Sequence, residues 1–89
     1  MFNFDDLSLP LEYKGFLTEI YETLSPDSQN EVFLKFKDFP FFLEPHGEEI
    51  HVFNNNLLLF SAKDFCDLLY NFNLEGKPFI EQIEFIEYD

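Results

Sequence analysis

The chain has 89 residues, with eighteen acidic side chains against five lysines, a formal net charge of −13 at neutral pH, fourteen Phe and four Tyr. That length makes one domain burying roughly 60–65% of its unfolded surface. Large rings, each burying about 150–250 Å², supply enough core to exclude disorder despite the charge. One cysteine and three glycines exclude an intrachain disulfide, a Cys-rich zinc site, a phosphate-cradling loop and a dinucleotide fingerprint.

Residues 2–9 read as a lead-in without the basic start and apolar stretch of a signal peptide. The longest apolar runs, at 39–43 and 57–60, fall far short of the ~18 residues a membrane span needs. A soluble, cytoplasmic domain is expected, with no membrane partner. Pro10 suits a first helical position. Over residues 11–24, Tyr13, Phe16, Leu17, Ile20, Tyr21 and Leu24 then recur at helical spacing, predicting an amphipathic helix. Glu12, Glu19 and Glu22 fall on its opposite side.

Ser25-Pro26-Asp27 has the chemistry of a helix start: a hydroxyl cap, proline in the first turn and an acid beside it. A second helix is therefore predicted to about residue 36, burying Val32, Phe33 and Phe36 and stopped by Pro40. The period then changes. Residues 41–44, a turn at Pro45-His46-Gly47, and residues 49–53 read as a hairpin. Asn54-Asn55-Asn56 turns the chain again, and residues 57–60 complete a three-stranded meander.

Ser61 is the expected cap of a third helix, with Asp64 in a capping-box-like position and Phe65, Leu68, Leu69 and Phe72 as its buried stripe. Gly76 and Pro78 end that segment. In the closing stretch FIEQIEFIEYD, the short length after Pro78 and the β-branched and aromatic content predict a strand. An acid on each of its faces would protect it as a sheet edge. The expected fold is thus α+β: two amino-terminal helices, a three-stranded antiparallel meander, a third helix and a carboxyl-terminal strand joining the sheet.

No catalytic chemistry emerges from this order. In HGEEIH, residues 46–51, the histidines are five apart across a turn, not four apart on one helical face as a metalloprotease requires. They read as a turn and a strand residue, and no metal or other cofactor is expected. Ser25 and Ser61 are explained as caps. Cys66 sits beside an apolar stripe between Asp64 and Asp67, which oppose thiolate formation. Five scattered lysines cannot track phosphates, so direct nucleic-acid binding is not expected either.

The acids carry the functional expectation, which is a non-enzymatic inhibitor. Carboxylates held on a firm surface can occupy the lysine and arginine array of a nuclease or a nucleic-acid-binding complex, with encounter accelerated by long-range attraction. A nuclease-toxin immunity protein and a phage-encoded nucleic-acid mimic both fit. The candidate partner-binding residues are Glu12, Glu19 and Glu22, then Asp64 and Asp67, then Glu81, Glu84 and Glu87, with Tyr88 as an aromatic anchor. The alternative is an adaptor or structural protein using exposed phenylalanines. Residues 39–45 hold three in four positions, which one strand cannot bury on one face. A homodimer through that run or an edge strand is compatible with the sequence.

Overall fold

The structure is a computed structural model and describes residues 4–89; residues 2 and 3 of the expected lead-in lie outside the described residues. A 3-10 turn at Phe4–Asp6 leads into helix α1, Leu11–Leu24. Strands β1 (Val32–Phe36), β2 (Phe39–His46), β3 (Glu49–Asn54) and β4 (Leu57–Ala62) follow as one antiparallel meander. Helix α2 is Phe65–Asn71, and a small hairpin pairs β5 (Asn73–Leu74) with β6 (Lys77–Pro78). A 3-10 helix at Phe79–Phe85 then delivers β7, Ile86–Tyr88, to the free side of β1. The sheet order is β4-β3-β2-β1-β7.

The α+β class matches the reading of the sequence, but the order of elements does not: one α-helix precedes the sheet, and the meander has four strands, of which β2, β3 and β4 are the three expected. The second amino-terminal helix does not form. Ser25 does open one turn, with the Ser28 and Gln29 amides donating to its carbonyl at 3.0 and 2.7 Å. Gln29 then takes a left-handed φ of 49°, which ends any helix. Its side-chain amide donates to the Ser25 and Gly47 carbonyls, and its Oε1 accepts from the Gly47 amide at 3.1 Å. The turn is thereby fastened to the β2–β3 hairpin. Beyond it, Val32, Leu34 and Phe36 point inward while Phe33 points out. That two-residue alternation of β-branched and aromatic groups overrides the start signal.

Three further boundaries move. Pro40 and Pro45 lie inside β2, and the hairpin turns at Gly47-Glu48. Ser61 belongs to β4, and Asp64 caps α2. Residues 79–85 are helical, and only 86–88 are extended. Each two-residue turn of the meander begins with a left-handed residue, Lys37 (φ 56°), Gly47 (φ 67°) or Asn55 (φ 54°), as tight hairpins between right-twisted strands require.

One face of the sheet is covered. Helix α1 packs over β1 and β2, and α2 over β3 and β4. Leu17, Ile20, Leu34, Leu43, Val52 and Phe79 are fully buried between the layers. Phe79 meets Phe41 edge-on, with centroids 6.4 Å apart at 88°, and lies 6.3 Å from Phe72. The one buried polar side chain among the described residues, Gln82, donates to the Leu74 carbonyl at 2.8 Å, so its burial carries no unmet hydrogen bond.

Candidate functional site

The nine candidate residues separate into three groups. Asp64 and Asp67 serve the chain itself. Asp64 accepts from the Asp67 amide at 2.8 Å, and the Asp67 carboxylate accepts from the Lys63 amide at 2.9 Å and from Asn71 Nδ2 at 2.6 Å. Asp64 is thus the cap of α2, and Asp67 reaches back one residue further than a capping box does, to the amide preceding the cap. The Lys63 amide first and Asn71 second hold the Asp67 carboxyl below the usual 3.8. A depressed carboxyl favours the folded state above its unfolded pKa, and the benefit is lost as pH falls through the folded value.

Glu19, Glu87 and Tyr88 form a second group at the junction of α1 and β7. Pairing of Lys35 with Glu87 across β1 and β7 brings their charges to 3.3 Å. Part of the charge at the chain end is therefore met from within the fold. Tyr88 packs edge-on against Phe16, centroids 5.0 Å apart, and its hydroxyl donates to Glu19 Oε1 at 2.9 Å. Partial burial first, and then the Glu19 carboxylate, push the Tyr88 hydroxyl up to about 12 from 10.0. A phenol with a raised pKa favours the fold while neutral. That contribution is complete below pH 10.0 and is lost as pH climbs through about 12. Replacing Tyr88 with Phe keeps the ring packing and removes the bond, so it should lower stability by about 0.5–1 kcal/mol. It should also flatten the alkaline loss; urea midpoints compared between neutral and strongly alkaline buffer measure both.

Glu12, Glu22, Glu81 and Glu84 are the third group. All four are exposed, and among the described residues none has an ion pair or a side-chain hydrogen bond. Glu81 and Glu84 owe their alignment to the 3-10 helix. With three residues per turn, side chains three apart eclipse one another. The same period stacks Ile80 above Ile83 on the buried side. The every-third-residue rhythm of glutamate and isoleucine was the available sign of this helix. Glu81 and Glu84 share an open cavity of about 620 Å³ with Asp6, Tyr13 and Tyr70. Three carboxylates and two phenol rings therefore border one concave surface.

The sheet face turned away from the helices was not anticipated as a unit. Register places Phe33 opposite Phe42, Phe42 opposite Phe53, and Phe53 opposite Leu58. Their side chains all project outward, since the alternate positions Leu34, Leu43 and Val52 are buried. Phe33 and Phe42 lie 5.4 Å apart, and Phe42 stacks on Phe53 at 5.3 Å and 20°. The result is an apolar ladder across four strands, about 14 Å long at the usual strand spacing. Of the phenylalanine run, Phe41 is buried, Phe42 joins this ladder, and Phe39 is 41% exposed beside the β1–β2 turn.

The two histidines meet on that same face. His46 and His51 stack with centroids 4.2 Å apart, and each bonds a glutamate two residues away on its own strand, Glu44 and Glu49 respectively. Among the described residues no group of three or more His, Cys, Asp or Glu side chains is arranged to hold a metal ion. Cys66 is exposed on α2. Among the described residues, no helix is long and apolar enough to cross a membrane. Comparison with protein-family models, curated proteins and solved structures finds no match.

Proposed function

We propose that this domain is a non-enzymatic acidic inhibitor acting in the cytoplasm. It would block the basic nucleic-acid-binding or active-site surface of a nuclease or a defence complex. The observation that supports this most directly is the set of unpaired, exposed carboxylates at Glu12, Glu22, Glu81 and Glu84 on helical elements packed against the core. Helices packed against the core fix the backbone that carries these side chains, and like-charged neighbours on a compact domain give a field that attracts cations at a distance. An immunity protein of a nuclease toxin and a phage-encoded nucleic-acid mimic both use that physics. Glu19, Glu87 and Tyr88 extend the acidic surface at the α1–β7 junction. Asp64 and Asp67 contribute field while they cap α2.

Capture from a lysate of the source cell on immobilised protein, eluted with rising salt, tests the reading. The expected result is a basic nucleic-acid-handling protein released as salt rises, whose cleavage or binding of nucleic acid is blocked by added domain. A partner that resists salt, or one whose activity is unaffected, would overturn it. The adaptor alternative draws on a different observation, the aromatic ladder on the uncovered sheet face, which a charge-led partner can also use.

A further inference from the structure

We infer that the uncovered face of the sheet is the docking surface for a cationic protein segment whose apolar side chains alternate with lysine or arginine. This inference rests on the charge-led reading above and names where such a partner seats its apolar groups. The ladder of Phe33, Phe42, Phe53 and Leu58 is contiguous and built on paired strands, and its two ends are 53% and 50% exposed. Rings already packed together at 5.3 and 5.4 Å need no reordering to receive a partner. Aromatic anchors of this kind supply most of the affinity at protein interfaces.

The surroundings select the sign of the occupant. One side of the ladder is bordered by Glu44, which lies opposite His51 and bonds His46, and by Glu49, which lies opposite His46 and bonds His51. On the other side Lys35, the one lysine projecting from the strands on this face, is already engaged by Glu87. A segment seating apolar side chains on the rings, with its long, flexible lysine or arginine side chains reaching round to the rim, would therefore bring cations beside carboxylates. A second copy of the chain would instead bring −13 against −13, which like-charge repulsion opposes.

Cross-strand aromatic pairs also stabilise a sheet by themselves, so the test reads binding in folded protein. Two short probe peptides are titrated at low and high salt against the labelled domain while its amide NMR shifts are followed. One alternates lysine with leucine; the other replaces each leucine with serine. The variant is Phe33→Thr with Leu58→Thr, which alters the two ends of the ladder and keeps good strand formers. Its amide spectrum confirms that it folds; should it not, Leu58→Thr alone at the β4 edge serves.

The leucine peptide should bind the wild type about tenfold or more tighter than the serine peptide, the gain expected from burying one apolar side chain. Its shifts should map to the outward positions of β1–β4, and the variant should erase the difference. Equal binding of the two peptides, or shifts confined to α1 and the 3-10 helix, would overturn the docking face and leave the charge-led reading standing. Leucine-dependent binding at the ladder that salt does not weaken would uphold the face and overturn the charge-led reading beneath it. Binding of neither peptide would overturn both. A concentration-dependent dimer of the wild type, absent in the variant, would assign the face to a second copy and overturn the cationic partner.

Discussion

Truncation of Phe79 to alanine should cost about 3–5 kcal/mol, the range for removing a buried phenylalanine from a packed core. A domain of this size has little to spare against the 5–15 kcal/mol typical of folded proteins. At about 4–8 °C per kcal/mol for a chain of this length, the midpoint of thermal unfolding should fall by tens of degrees. The reason lies in where the ring sits. Phe79 is fully buried, touches Phe41 of β2 and Phe72 at the end of α2, and its amide donates to the Phe72 carbonyl at 2.8 Å. It therefore joins the sheet, the second helix and the start of the 3-10 helix at one point. Phe79→Leu, which keeps most of the volume, should cost much less. Urea unfolding followed by circular dichroism measures the pair. A loss below about 1.5 kcal/mol for the alanine variant would mean that this junction collapses around the gap and is not the keystone of the core.

What the sequence made legible follows from where local and tertiary preferences agree. Helix α1 was legible because its apolar residues keep one period for fourteen positions, longer than any competing pattern. Residues 25–36 misled because two true signals sit side by side. Ser25-Pro26 begins a turn, and Val32–Phe36 alternates as a strand. Only Gln29, in a left-handed conformation and bonded across to Gly47, decides that the turn stops. Nothing adjacent in the sequence foretells that contact. The closing stretch misled differently. Seven residues is long for a 3-10 helix, and its period of 3 lies between the helical 3.6 and the strand 2, so neither common pattern fits.

The candidate site was legible in its charges and not in their employment. Spacing placed Asp64 in a capping-box-like position behind Ser61, but only the structure shows Asp64 as the cap itself and Asp67 engaged beside it. Tyr88 and Glu19 are 69 positions apart in the chain and meet through their side chains. The aromatic ladder needs the register of four strands to exist at all. Phe33, Phe42, Phe53 and Leu58 come from separate predicted elements, and one of them, Phe33, was assigned to a helix that does not form.

Replacing Glu12, Glu22, Glu81 and Glu84 together with glutamine should slow association with a basic partner of the proposed kind by about 10–100-fold at low salt. It should leave the dissociation rate nearly unchanged if these groups act mainly by steering. The fold should persist, because no described residue depends on these carboxylates for an ion pair or a side-chain hydrogen bond. Relief of like-charge repulsion between Glu19 and Glu22, three apart on α1, should return a few tenths of a kcal/mol. Asp64→Ala separates charge from architecture. It removes an acid too, but should lower stability by about 1 kcal/mol through loss of the helix cap while changing association far less. Association rates measured across a salt series distinguish the two roles. If the four-site variant binds as fast as the wild type, and both slow equally as salt rises, the steering field comes from the rest of the acidic surface. The partner's cations would then be read by Glu19, Glu87 and the glutamates beside the aromatic ladder.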